Sequence, residues 1–465
     1  MRNNEVTHDE KTTEGVSILL GDPKKAVLKL SIPMIIAMII NSLYAFIDGV
    51  WVAGLGDSAL AAIGFVNPLY MIVFGVSNGI AAGATYAISK YIGAKNKKEA
   101  DNAALHVILL TLLISIIFTA LLLIFLKPLL LTMGAGSTIN LGLEYGNILF
   151  LGTIFIIFSS ISYGILRAEG NVKKVTYVML FGAILNIILD PIFIYFLGLG
   201  VAGAAIATVI SLGSVSLVLL YWFKGDTYIK FSLKDFVYKN ELIKEILSVG
   251  LPASVEFFLI SLLAIAINGI LMLVSGVDGV AVYTGGWRFV AIMMVIPIAI
   301  GMSVTAITGA NLGARKYENI DVSHSYSIKI GTLIMVIVSI IIFILAPYIS
   351  YLFAYAPGSE SLLPQMTDFL RITCLFYLFF SLGVISASVF QGLGKGLYSL
   401  IIAFIRALIL QIAFAYLFAV ILNLGQIGVW FGIVIGHAIG ASMAYIWAKI
   451  YIKKISNENR EELMN

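Results

Sequence analysis

Tyr91-Ile92-Gly93-Ala94-Lys95 and Asn311-Leu312-Gly313-Ala314-Arg315 are one five-residue phrase written twice, 220 residues apart. Each closes a long apolar run and opens a short basic loop. Working outward, the same spacing returns. Ser31-Ile32-Pro33 is echoed by Gly250-Leu251-Pro252, and Asp48-Gly49 by Asn268-Gly269. Gly56-Asp57 is echoed by Val277-Asp278, and Gly200-Val201-Ala202-Gly203 by Gly425-Gln426-Ile427-Gly428. A near-constant offset of about half the 465-residue chain marks an internal duplication.

The medium follows from composition. Hydrophobic residues make up 60% of the chain and charged residues only 12%. Soluble domains run nearer ~45–50% and ~25%. This balance excludes a disordered chain and an ordinary cytosolic enzyme. One cysteine excludes a disulfide-built domain. The apolar runs are continuous rather than alternating, which disfavours an outer-membrane barrel. Twelve runs are long enough to span a bilayer as helices: 29–51, 60–85, 103–126, 141–163, 175–197, 200–223, 246–274, 280–307, 330–354, 365–390, 397–422 and 425–448. The fold class predicted is an all-α polytopic membrane protein of twelve helices.

Lys and Arg alternate between the loops. The two tails and the even-numbered loops hold 25 of the 29, and the odd-numbered loops hold only Lys127. Positive residues mark the cytoplasmic side, so both termini are expected there, in the cell membrane. Six spans per half is an even number. The halves therefore enter from the same side as parallel repeats, an arrangement used by transporters that rock two lobes about a central site. The predicted lobes are 1–230 and 231–465, joined by a polar cytoplasmic linker near 225–245. The net charge of +4 reports topology and gives no reason for a nucleic-acid partner.

Ionisable residues inside spans are functional candidates. Asp48 lies roughly 28 Å and Asp190 roughly 22 Å above the inner ends of spans one and five, and Thr208 roughly 12 Å below the outer end of span six. Tyr44 is one helical turn below Asp48, and Asn186 one turn below Asp190. Pro191 cannot donate a hydrogen bond, so it frees the Ile187 carbonyl. These oxygens can hold Na⁺. Alternatively, two close carboxylates share a proton. The residues leave both open. In the second half, Glu256 and Arg406 reach similar depths, roughly 15 and 14 Å on spans seven and eleven. An ion pair is expected there.

Ser31-Ile32-Pro33, Ser42-Leu43-Tyr44, Asp48-Gly49, the stretch Trp51 to Gly56, Arg167-Ala168-Glu169-Gly170-Asn171, Asn186 and Asp190-Pro191 together resemble the multidrug and toxic compound extrusion (MATE) family, in its DinF-type branch. The resemblance implies a secondary antiporter that expels cationic amphipathic small molecules in exchange for H⁺ or Na⁺. It needs no other cofactor and works as a monomer in the lipid bilayer. It places the first-lobe cation site at Asp48, Asn186, Asp190 and Thr208 with Tyr44 beside it, a hinge at Pro33, and an inner gate at Arg167 and Glu169. A flippase for lipid or polysaccharide precursors is the alternative of the same superfamily. An intramembrane enzyme is the weak one: Gly392-Leu393-Gly394-Lys395-Gly396 lacks Walker spacing, and the four histidines show no metal-ligand spacing. His437, in span twelve, reads as a packed or cavity histidine.

Overall fold

The computed structural model describes residues 13–353 and 362–464. Arg2, Lys11 and residue 354, the last of the ninth predicted span, lie outside them. A short helix α1 (Glu14–Leu20) precedes α2 (Pro23–Ala53). Then come α3 (Asp57–Gly93), α4 (Lys97–Thr132), α5 (Ile139–Leu151), α6 (Thr153–Ala168), α7 (Val172–Pro191) and α8 (Gly200–Phe223). The second half holds α9 (Asn240–Gly313), α10 (Tyr317–Phe353), α11 (Leu363–Gly392), α12 (Gly396–Phe404), α13 (Ile412–Tyr416) and α14 (Gly425–Met464).

The spans are counted from breaks as well as lengths. The pair α5–α6 is one span bent by 48° at Gly152, where an added Cβ would press into the Val209 side chain. The 74-residue α9 is two spans, separated by Gly276 at φ 63°. Wide π-helical turns at 405–411 and 417–421 join α12 and α13 into one span. Twelve spans result among the described residues, in the predicted order. Most helices outrun the predicted apolar stretches because they continue into the basic loops. There, capping residues start the next helix: Asp22 accepts from the Lys25 N–H at 2.8 Å with Pro23 at the first position, and Asn96 accepts from the Glu99 N–H at 3.1 Å.

The duplicated phrase has a duplicated backbone. Lys95 and Arg315 both take left-handed conformations, φ 56° and 55°. Around them, the Asn96 N–H bonds the Tyr91 carbonyl at 3.0 Å and the Lys316 N–H bonds the Asn311 carbonyl at 2.8 Å. This is one helix-ending motif used twice. The two ends also touch. A methyl group added at Gly93 would overlap the Ala310 carbonyl, and one added at Gly313 would overlap the Lys90 carbonyl. Shifting each number by 220 turns the first contact into the second. The contact therefore lies on a pseudo-two-fold axis, where only glycine lets two helices meet backbone to backbone.

Two large apolar cores follow the two halves. One runs from Val16 to Ile229 and takes in the basic-end turns of α9, and the other runs from Leu263 to Val434. Within these cores, hydroxyls are satisfied locally: Ser77, Thr85 and Thr111 each donate to the carbonyl four residues earlier, at 2.6–2.8 Å. The 225–245 segment is held along its length. Tyr228 and Ile229 donate backbone N–H groups to Glu169, Lys230 donates to Asp101, Asn102 bonds both backbone groups of Val237, and Lys239 donates to His106 Nε2.

Candidate cation and substrate site

Spans one (α2), five (α7) and six (α8) bring the four expected residues into one cluster, two of them from α7. Asp190 is fully buried and Asn186 is 1% exposed, whereas Asp48 and Thr208 are half-buried. The Asn186 amide, oriented by its neighbours, donates to Asp190 Oδ2 at 2.8 Å and accepts from the Thr208 backbone N–H at 3.2 Å. The Thr208 hydroxyl lies 3.4 Å from the same amide. The Asp48 and Asp190 carboxyl groups are close neighbours in this cluster, and Asp190 Oδ1 is buried with no donor among the described residues. Two carboxyl groups so placed need a proton or a cation between them. The geometry thus brings Asp48, Asn186, Asp190 and Thr208 together.

Tyr44 is close enough to feel both carboxylates, as expected. So is Tyr145 on α5, and Tyr70 on α3 feels Asp48. Sequence reasoning missed these two. Their one signal was a phenol inside an apolar span, which carries no charge to be explained. Pro33 does not break α2 in this state. Its carbonyl accepts from the Thr176 hydroxyl of α7 at 2.8 Å, tying span one to span five well below the carboxylates.

Arg167 and Glu169 are both buried but diverge. Arg167 faces a cavity of about 250 Å³ between the halves. Glu169 turns the other way, and its Oε2 accepts the Tyr228 and Ile229 N–H groups at 2.8 and 3.2 Å. Burial pushes the Glu169 carboxyl up to about 7, and these backbone donors hold it from going further.

The expected ion pair between Glu256 and Arg406 is not formed. No oxygen of Glu256 comes within 4 Å of the guanidinium; Glu256 Oε1 instead accepts from the Ser399 hydroxyl at 2.6 Å. Ser399 lies seven residues before Arg406 on the same span, roughly 10 Å nearer the basic end. Matching depths by residue count overlooked this nearer partner. Both charged groups still line the 250 Å³ cavity.

Twelve spans in two like halves, with a carboxyl cluster at depth in one and a cavity between them, define a membrane transporter. The MatE family model matches residues 33–192 and again 252–417, once in each half. The multidrug export protein MepA of Staphylococcus aureus (strain N315) is 27% identical over 394 residues, 84% of this chain and 86% of its own. A solved structure described as an outward-facing conformation of a multidrug resistance MATE family transporter of the MOP superfamily superposes with a TM-score of 0.93 at 39% identity, covering 96% of this chain and 100% of that one. A MOP superfamily transporter from Pyrococcus furiosus, whose description proposes a different function from the reversed polarity of its binding pocket, gives the same TM-score and identity, covering 96% and 99%. The chain belongs to the MATE family of transporters. It is a transporter and not an enzyme.

Proposed function

We propose that the chain is an ion-coupled multidrug exporter of the cell membrane. It exchanges cationic amphipathic molecules for H⁺ or Na⁺ by rocking lobes 1–230 and 231–465 against each other. The observation that carries this reading is the Asp48–Asp190 pair with Asn186 and Thr208 around it. A pair of acids within the spans costs too much to keep for packing alone. Its affinity for a cation changes with exposure to one side or the other, which is what coupling needs. Tyr44, Tyr70 and Tyr145 supply aromatic surface beside the carboxylates, suited to an organic cation. Both tails and the linker face the cytoplasm in this reading, as the distribution of Lys and Arg supports. One chain is the working unit, since its two halves already enclose the cavity. The Arg167–Glu169 turn serves the inner gate, and α2 bends at Pro33 as the carboxylates load and unload. The test is efflux of a fluorescent organic cation from proteoliposomes, with Na⁺ and pH gradients imposed separately. Wild type should respond to one gradient, and Asp48→Asn and Asp190→Asn to neither. Wild-type rates in both variants would overturn the assignment.

A further inference from the structure

The second half keeps a charge that the fold does not explain. The Arg406 guanidinium makes no hydrogen bond and no ion pair with any described residue, and its Nη1 is buried without a partner. A guanidinium at this depth whose one opposite charge in the cavity, Glu256, stands beyond ion-pair distance is expensive. Yet the surroundings are cut to hold it. A Cβ at Gly383 would collide with Nη1, and one at Gly440 would come within 2.7 Å of Arg406 Cβ and Cγ. Arg406 and Gln411 both lie in a π-helical stretch, 405–411, a distortion frequent at functional sites.

Two further polar groups line the same cavity without partners. Gln411 is 3% exposed with Oε1 unsatisfied, and His437 is 2% exposed with Nε2 unsatisfied. The His437 ring packs on Phe376 at 4.1 Å between centroids, and Trp287 stands 5.6 Å from Phe376. The charged groups lining the cavity are Arg167, Arg406 and Glu256, two cations against one anion. Glu256 is drawn toward the basic end by Ser399, which leaves the Arg406 end electropositive.

We propose that this cavity binds an amphipathic anion: a carboxylate or phosphate head on Arg406, with Gln411 and His437 completing the polar pocket and an apolar body lying along Trp287, Phe376 and Phe380. A guanidinium fork matches either head in bidentate fashion. The site is separate from the carboxyl cluster of the first half and does not depend on that cluster's role in coupling.

The experiment is equilibrium binding of dodecanoate, dodecyl phosphate and dodecanol to the purified chain in phosphatidylcholine nanodiscs. Wild type should bind both anions, and Arg406→Gln should weaken them by roughly tenfold or more while leaving dodecanol unchanged. Glu256→Gln, which removes the repelling charge, should tighten both anions. Asp48→Asn should leave anion binding intact even where it stops export, so failure here and failure of the coupling assignment read separately. Should Arg406→Gln not fold, Arg406→Lys, which keeps the charge but loses the fork, should still bind the anions several-fold more weakly. Discs containing phosphatidylglycerol identify the source. Competition with dodecyl phosphate marks a bilayer lipid as occupant, and its absence marks an anion arriving from water; both uphold the site. Anion binding that is indifferent to Arg406 substitution, or dodecanol binding as tight as the anions, would overturn it.

Discussion

Spans five and eleven share a backbone and differ in chemistry. A π-helical turn covers 192–196 in one and 417–421 in the other, and Gly200 and Gly425 follow at φ 53° and 59°. At this offset of 225, Asn186 corresponds to Gln411, Asp190 to Ala415, and Phe181 to Arg406. In the first half the amide serves the acid, donating to it at 2.8 Å. In the second half the acid has gone, the amide oxygen is left unpartnered, and a cation stands where the first half has a phenylalanine. Symmetry has been kept where helices turn and cross. It has been abandoned deeper in the spans, where the polar and charged side chains of the two halves differ.

The hardest way to break this comparison is at the acids themselves. Asp48→Asn or Asp190→Asn should lower gradient-driven efflux on the order of a hundredfold or more in proteoliposomes. Asn268→Ala and Phe414→Ala, at or beside the equivalent positions of the second half, should change it by less than about twofold. Equal losses on both sides would mean that the halves couple alike.

Glu169 comes next, and it has a sign. Its folded value of about 7 lies above the ordinary 4.5, so its stabilising contribution is complete below 4.5 and is lost as pH rises through 7. Denaturation of wild type followed from pH 5 to 8 should show a loss of about 2–3 kcal/mol that Glu169→Gln does not share. A parallel decline in both proteins would assign the loss to other groups.

Gly93→Ala and Gly313→Ala test whether the crossing at the basic end is truly symmetric. Each should cost about 1–3 kcal/mol in thermal unfolding, because backbone must move away from backbone. The two costs should agree within about 0.5 kcal/mol. Unequal costs would show that one half bears the contact. The smallest effect is expected for Glu256→Gln combined with Arg406→Met. With no direct pair, their coupling in a double-mutant cycle should stay below about 1 kcal/mol. A larger value would restore the ion pair that depth alone suggested.

The parts legible in the sequence were those set by short-range rules. Apolar length gave the spans, and the repeated phrase gave the paired helix ends. The four-residue spacing of Asn186 and Asp190 already placed them on one face. What escaped depended on partners distant in the chain. Tyr70 and Tyr145 are neutral and leave no mark in a hydropathy reading. His106 was read as one of four scattered histidines, yet its Nδ1 meets the Asn102 carbonyl at 2.8 Å and its Nε2 accepts the Lys239 N–H at 2.9 Å. Glu256 and Arg406 were compared by counting straight helical rise, which passed over Ser399.

A chain crossing between two moving bodies usually supplies slack. Here the crossing is a strap stitched down to its last residue: positions 228, 229, 230, 237 and 239 are each fastened to the first half. The stitching runs on into α9, where Glu245 accepts from the Lys90 ammonium at 2.5 Å and from the Tyr91 hydroxyl at 3.1 Å. If the second half swings, the motion would have to be taken up beyond Glu245, within α9 itself rather than in the linker.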